Sequence, residues 1–419
     1  MRRIKTRKFT TETQRHREER ENFFLEKKPI LFRQFFYFLL FTFYFLLPAC
    51  RYPDPGGSLP PGGDLPRQEN PGPNPPDYAA FVVTSDFGLT GGMADIGLDT
   101  RVPYFPDWEW AARVVSPDAV ATTFLDRIFV INRYTYDSIS VLDQKLKLSA
   151  QYSVADPSCD PSNPHDLAFV SATRAFLSRY ECHDLWVINP QTGQRLDAID
   201  LKAAGFGGAD GIPEMSGLLL LGNTLYVAVQ TIDRRVWKPE GPGRLVTIDA
   251  ATDAVTGAIV LFGANPVTDV IYSDSLGAIL VGTAGNQRVT GDGGIEAVDP
   301  SSGTALGFVI TEDELKGTVS DFVIAGADRG FATVTGEDFR STLVRFNPAT
   351  GKRDPAALYA ADSGFTLWDL ALNDRGEVWL CDRSAARPGL QVFDAATGAR
   401  LTAAPIDTGL PPFSIVFLK

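Results

Sequence analysis

The feature that most constrains this chain is a short motif that occurs seven times. An apolar stretch runs into Asp or Asn, and in four of the five best copies a Thr-Gly or Ser-Gly pair follows. These copies are WVINPQTG from Trp186, VTIDAATD from Val246, EAVDPSSG from Glu296, VRFNPATG from Val344 and QVFDAATG from Gln391; weaker ones are SVLDQKLK from Ser140 and IGLDTRVP from Ile96. Asp or Asn opens a tight turn by accepting backbone N–H groups just ahead, and Gly supplies the left-handed residue that closes it. The turn residues Asp99, Asp143, Asn189, Asp249, Asp299, Asn347 and Asp394 recur about every 45 to 60 residues. That is the length of one four-stranded propeller blade.

A second apolar element falls between the turns in register. It reads SPDAVAT from Ser116, PHDLAFV from Pro164, EMSGLLL from Glu214, VTDVIYS from Val267, VSDFVIA from Val319, LWDLALN from Leu367 and PFSIVFL from Pro412. Further strands such as RIFVIN, TLYVAVQ, AILVGT, GFATVT and EVWLCD follow several of these. The predicted order is inner strand, second strand, third strand, Asp/Asn turn, outer strand. The first repeat has no inner strand and starts at AAFVVTSD, from Ala79, whereas FSIVFLK at the C-terminus is an inner strand with nothing after it. The two fragments complement each other. They predict an all-β, seven-bladed β-propeller whose last blade is shared by the N- and C-terminal strands. Such closure removes exposed sheet edges. An open solenoid or an eight-bladed ring is the rival architecture.

The N-terminal region reads differently. About the first 33 residues are polar and largely basic, and Phe35–Leu47 is an uncharged apolar run. That run is short for a membrane span, which needs about 20 residues, and suits the apolar part of a signal peptide. Leu47-Pro48-Ala49-Cys50 follows, and it resembles a lipobox, which makes Cys50 the expected lipidation site. An ordinary cysteine beside a plain cleavage site, or a retained anchor, is the alternative. The basic stretch is longer than export needs, and TTETQRHREERE reads like translated repetitive DNA, so the true start is expected further along. Residues 51–77 are dominated by Pro, Gly and polar side chains and are expected to form a disordered tether. The organisation expected is therefore 1–50 signal peptide with lipobox, 51–77 tether and 78–419 propeller. The location expected is a bacterial membrane, reached by export and a lipid anchor, with the body facing the periplasm or the cell surface; Arg51 after the cysteine suits the outer membrane.

The formal net charge is −12. Phosphate binding needs a basic face, so nucleic acid is an unsuitable partner. The repeats resemble the YVTN-type propellers of bacterial surface and periplasmic proteins, and Pro213–Asp253 is especially similar to a subgroup of bacterial lipoproteins. This resemblance implies a fold and a compartment, and little chemistry.

Candidate sites are few. The inner-strand element repeats one polar position, Asp118, Asp166, Ser216, Asp269, Asp321, Asp369 and Ser414. In a propeller these would ring the central channel. A carboxylate ring suits Ca²⁺ or another divalent cation, or a cationic substrate group; the plainer reading is that each Asp orders its turn by accepting backbone N–H bonds. His165 lies beside this ring. Cys159 and Cys182 bracket a predicted hairpin and are expected to form a disulfide, whereas Cys381 is expected to be buried and unpaired. Glu214, Gln230, Arg234, Arg235 and Trp237 cluster where the chain departs most from its repeat, and they are candidates for a partner-binding loop. No nucleophile elbow, P-loop or haem motif is present. The expected function is a binding or scaffold module for a protein or glycan partner. The alternative is a lactonase-like hydrolase with a divalent metal in the channel. A quinone-dependent dehydrogenase is disfavoured, because no tryptophan follows the Thr-Gly turns.

Overall fold

The computed structural model describes residues 79–286, 289, 291–362 and 364–418. The predicted leader, Cys50, the tether, Tyr78 and Lys419 lie outside the described residues. Within them, the repeats fold as seven antiparallel blades around an axis. Blade 1 holds Ala119–Phe124, Arg127–Asn132, Ser138–Asp143 and Leu148–Ser153. Blade 2 holds Pro164–Ser171, Arg174–Arg179, Asp184–Ile188 and Arg195–Asp200. Blade 3 holds Met215–Leu221, Thr224–Val229, Arg244–Asp249 and Val255–Val260. Blade 4 holds Ile271–Ser273, Ala278–Thr283, Gly294–Asp299 and Thr304–Thr311. Blade 5 holds Thr318–Gly326, Arg329–Thr335 and Ser341–Asn347, and its outer edge is split into Lys352–Arg353 and Tyr359–Ala360. Blade 6 holds Leu367–Leu372, Glu377–Asp382 and Gly389–Asp394. Its outer position is reduced to single bridges from Phe393 to Arg400 and from Leu390 to Ile406.

Blade 7 closes the ring as expected. Pro412–Leu418 pairs antiparallel with Ala79–Ser85, with Ala79 opposite Leu418 and Val83 opposite Ser414. Gly91–Gly97 and Pro103–Tyr104 complete the sheet. A short helix, α1 (Trp108–Val114), carries the chain from blade 7 to blade 1, and the Asp107 carboxylate caps it by accepting the Trp110 N–H at 2.9 Å.

The turns form for the reason given by their composition. Asn189 Oδ1 accepts the Gln191 N–H at 3.0 Å, Asp299 the Ser301 N–H at 2.8 Å, and Asp394 the Thr397 N–H at 2.7 Å. Gly193 closes the blade 2 turn at φ +74°, and a Cβ there would lie 2.2 Å from the Tyr152 ring of blade 1. Only Gly meets both demands. One expectation needs correction: the blade 4 inner strand is Ile271–Ser273, shorter than VTDVIYS, so Asp269 stands on the approach to the strand.

The core is seven separate clusters, one at each interface between neighbouring blades. Strand alternation produces this, because successive side chains point to opposite faces. Ile128 and Val130 pack toward blade 7, and Phe129 and Ile131 toward blade 2. Cys381 is a free thiol buried between blades 6 and 7. Arg383 locks the closure. From blade 6 it donates to the Pro411 and Pro412 carbonyls, each at 2.9 Å, and to the Ser85 carbonyl at 2.8 Å, and it lies 3.7 Å over the Phe87 ring. It therefore grips both strands that meet in blade 7. Removing a charged donor that satisfies three carbonyls costs several hydrogen bonds at once. Arg383→Met is expected to lower unfolding stability by about 3 kcal/mol, read as the urea midpoint of the full chain; an unchanged midpoint would show that strand pairing alone holds the ring.

Candidate functional site

Four carboxylates gather around the axis, three on inner strands and Asp269 just ahead of one. Asp269 of blade 4 acts electrostatically on Asp166 of blade 2, Asp321 of blade 5 and Asp369 of blade 6. Blades 2 and 6 are not neighbours of blade 4, so these side chains meet across the channel. Three of them also bridge strands. Asp166 accepts the Leu167 N–H at 2.7 Å and the Leu218 N–H of blade 3 at 2.8 Å. Asp321 accepts the Phe322 N–H at 2.8 Å and the Leu370 N–H of blade 6 at 2.7 Å. Asp369 accepts the Leu370 N–H at 3.1 Å and the Ile415 N–H of blade 7 at 2.6 Å. Ser414 continues the series by accepting the Ala121 N–H of blade 1 at 3.3 Å.

Asp118 stands apart from this series. The amide reached from blade 7 is that of Ala121, so Val120 occupies the ring position in blade 1 and Asp118 lies two residues before it. Asp118 pairs instead with Arg133. Ser216 turns to the Pro266 carbonyl of blade 4 at 3.0 Å. Among the described residues no three His, Cys, Asp or Glu side chains come together in a metal-holding group.

Asp166, Asp321 and Asp369 are half-buried, whereas Asp269 is exposed to solvent. Burial raises Asp166 to about 8, and the Asp269 charge adds to the shift. Burial also raises Asp369, to about 6, again with help from Asp269. Asp321 is held well above the usual carboxylate range by desolvation and by the charges of Asp369 and Asp269, and the protein surrounding Asp269 raises it as well although its surface is exposed. The Asp321 carboxyl lies within hydrogen-bonding reach of Asp369. The cluster therefore retains protons near neutral pH, because closely spaced carboxylates in a poorly solvated site do not all ionise.

At the channel mouth His165 stacks on Tyr180, with ring centroids 4.7 Å apart. Burial and then the Arg133 charge hold the imidazole well below its ordinary pKa, so it is neutral. The Tyr180 hydroxyl donates to Gln230 Oε1 at 2.7 Å, and Gln230 Nε2 donates to the Pro266 carbonyl at 2.9 Å. Cys159 and Cys182 form the expected disulfide beneath this rim.

The candidate loop divides into a foot and a tip. Glu214 is fully buried, accepts the Ile232 N–H at 2.8 Å and receives Arg234 Nε at 2.8 Å. Burial raises the Glu214 carboxyl to about 7, against the Ile232 and Arg234 bonds, which lower it. Arg234 also pairs with Glu181 of blade 2. Glu214, Gln230 and Arg234 therefore anchor the segment. The tip is a small hairpin in which Ile232–Asp233 pairs with Lys238–Pro239. Arg235 forms a two-point pair with Asp233 and is otherwise exposed, and Trp237 exposes 55% of its surface beside exposed Val236.

Sequence reasoning missed Arg133, Tyr180, Glu181 and Arg383, which line or brace this mouth. A signal for them was present. Second strands end at the mouth in polar residues, Asn132, Arg179, Thr283, Thr335 and Asp382, and Gln230 directly follows its strand, so the apolar run breaks off there. A separate cavity of about 380 Å³ between blades 5 and 6 is lined by Tyr359, Asp382, Arg387, Gln391 and Arg400 among others. Its polar groups largely satisfy one another: the Tyr359 hydroxyl and Gln391 Nε2 both donate to Asp382 Oδ2, at 2.5 and 3.2 Å.

No protein-family model matches the chain, and no curated protein matches it. Solved structures do. A provisionally assigned 6-phosphogluconolactonase from Bacteroides fragilis NCTC 9343 is similar with TM-score 0.59 at 13% identity, over 82% of this chain and 98% of that one. The dihydro-heme d1 dehydrogenase NirN, solved with DHE, is similar with TM-score 0.51 at 15% identity, over 87% of this chain and 78% of that one. At such identity the likeness is one of fold, the β-propeller, and carries no shared chemistry.

The channel has a pH signature with a definite sign. In the unfolded chain these carboxyls ionise near pH 4, as free Asp does. In the folded chain they hold protons to higher pH, so their contribution to stability is fully present below about pH 4 and is lost as pH rises toward about 8. The melting temperature of the full chain is expected to fall across this window. Asp269→Asn removes the charge that the other three share, and is expected to flatten the fall; an unaltered slope would place the four carboxyls too far apart to interact.

Proposed function

We propose that this chain is an exported propeller, lipid-anchored through Cys50 to a bacterial membrane, that works as a binding module for a protein or glycan partner. The observation that carries this reading is the blade 3 hairpin. Its foot is fixed by Glu214, Arg234 and Glu181, and its tip holds Val236 and Trp237 toward solvent. A rigid scaffold that presents an aromatic anchor limits the entropy lost on binding. The basic start, the apolar run Phe35–Leu47, the lipobox-like Leu47–Cys50 and the Pro/Gly-rich stretch after it support the anchored placement. The outer membrane, with the body facing the periplasm or the surface, suits Arg51.

The competing reading is a lactonase-like hydrolase with Ca²⁺ or another divalent cation in the channel. It needs carboxylate oxygens available to a metal. Asp166, Asp321 and Asp369 have both oxygens engaged by backbone N–H groups, which supports the binding reading.

Two measurements test the proposal. A photo-crosslinking residue at Val236 of the full chain, in its native envelope, is expected to trap a discrete adduct that Trp237→Ala reduces by about tenfold or more. The same residue at exposed Leu306, on the outer strand of blade 4, serves as reference; adducts equal at both positions and unaffected by Trp237→Ala would remove the hairpin from the reading. Cys50→Ser is expected to abolish labelling by a fatty-acid analogue and to release the chain from membranes. Persistent labelling would sink the assignment of Cys50.

A further inference from the structure

A buried polar atom without a partner is rare and calls for an explanation, such as an ion. Among the described residues eight side-chain atoms are of this kind. Three are guanidinium nitrogens, on Arg101, Arg133 and Arg234, whose neighbouring nitrogens are already ion-paired. Asp95 Oδ1 and Ser116 Oγ stand alone. The other three are Asp292 Oδ1, which lies over the Cα of Gly285, Glu312 Oε2 and Thr318 Oγ1; the Asp292 charge acts on Glu312, and Glu312 holds the residue after Thr318, so the three share the region between blades 4 and 5.

The chain brings them there from three elements. Asp292 lies on the connection between the second and third strands of blade 4. Glu312 opens the short helix α2 (Glu312–Leu315) that follows the outer strand. Thr318 is the first residue of the blade 5 inner strand. Each carboxylate is held by one oxygen and leaves the other without a partner. Asp292 Oδ2 accepts the Asn286 N–H at 3.0 Å and Asn286 Nδ2 at 2.6 Å. Glu312 Oε1 accepts the Val319 N–H at 2.9 Å, which ties it next to Thr318. Gly293, adjacent to Asp292, lies against the Glu312 carboxylate so closely that a Cβ there would be 2.9 Å from Oε2. Glu312 is fully buried.

We propose that Asp292, Glu312 and Thr318 form part of a binding site for a hard divalent cation of the calcium class, joining blade 4 to blade 5. The donors are all oxygen, which suits calcium and not the softer metals that favour nitrogen and sulfur. Backbone carbonyls and water would complete the six to eight ligands such an ion takes. The electrostatics fit. Burial raises the Glu312 carboxyl to about 8, with Asp292 and Asp313 adding repulsion. A cation there would relieve that repulsion. The site is separate from the channel carboxylates, of which Asp166, Asp321 and Asp369 spend their oxygens on backbone amides.

Calcium titration of the chelator-treated full chain, followed by thermal melting and by bound-metal analysis, tests this. One calcium per chain is expected, with a saturable rise in melting temperature of about 5 °C at roughly hundredfold excess over its Kd. Glu312→Gln is expected to abolish the rise. Thr318→Val, which keeps size and loses the hydroxyl, is expected to fold and to weaken calcium binding about tenfold, and Asp269→Asn in the channel is expected to leave it intact. No saturable rise into the millimolar range would overturn the proposal. A rise retained by both Glu312→Gln and Thr318→Val, or lost only with Asp269→Asn, would overturn it by placing the ion elsewhere.

Discussion

The antiparallel pairing of Pro412–Leu418 with Ala79–Ser85 is the contact on which the rest of this molecule depends. Every blade buries both of its faces, so no blade has a stable outer surface of its own. The seven clusters are meaningful only if the seventh interface forms, and that interface needs strands from both ends of the described chain. Ring closure converts a stack of marginal four-stranded sheets into a structure with no exposed terminal face. The hold of Arg383 on both strands of blade 7 marks this as the place where the fold is reinforced.

The same closure creates the unusual electrostatics. Bringing seven inner strands around one axis forces their equivalent side chains together. A carboxylate at that position orders its own strand and the next by accepting two N–H groups, which favours Asp. Repetition then places three of them, together with Asp269, around one channel, where desolvation and mutual repulsion keep them partly protonated. Local stabilisation of each strand and global crowding of charge are thus opposite consequences of one repeated residue.

Much of this was legible in the sequence. Asp, Asn and Gly act within a few residues of themselves, so the turns at Asn189, Asp299 and Asp394 follow from local chemistry. The complementary ends followed from counting strands. The Cys159–Cys182 bond followed from hairpin geometry. The alignment of Asp118 with the ring did not hold, because a shift of two residues keeps a side chain on the same face and leaves the apolar pattern of SPDAVAT intact. Glu214, Gln230, Arg234, Arg235 and Trp237 were one cluster in the sequence. Folding divided them into a buried foot and an exposed tip, because the partners of the foot, Glu181 and Tyr180, come from blade 2.

What the sequence determined by itself is the set of short-range decisions: strand, turn, blade length, blade number and the match between the two ends. These depend on alternation and on hydrogen bonds that span only a few residues. What the tertiary structure alone decided is which distant groups share a confined space. The axial meeting of Asp166, Asp269, Asp321 and Asp369 is of this kind, as are the anchoring of Arg234 across two blades and the unpartnered oxygens of Asp292, Glu312 and Thr318. Charge interactions and desolvation act through space rather than along the chain, so their strength is set only when the ring has closed.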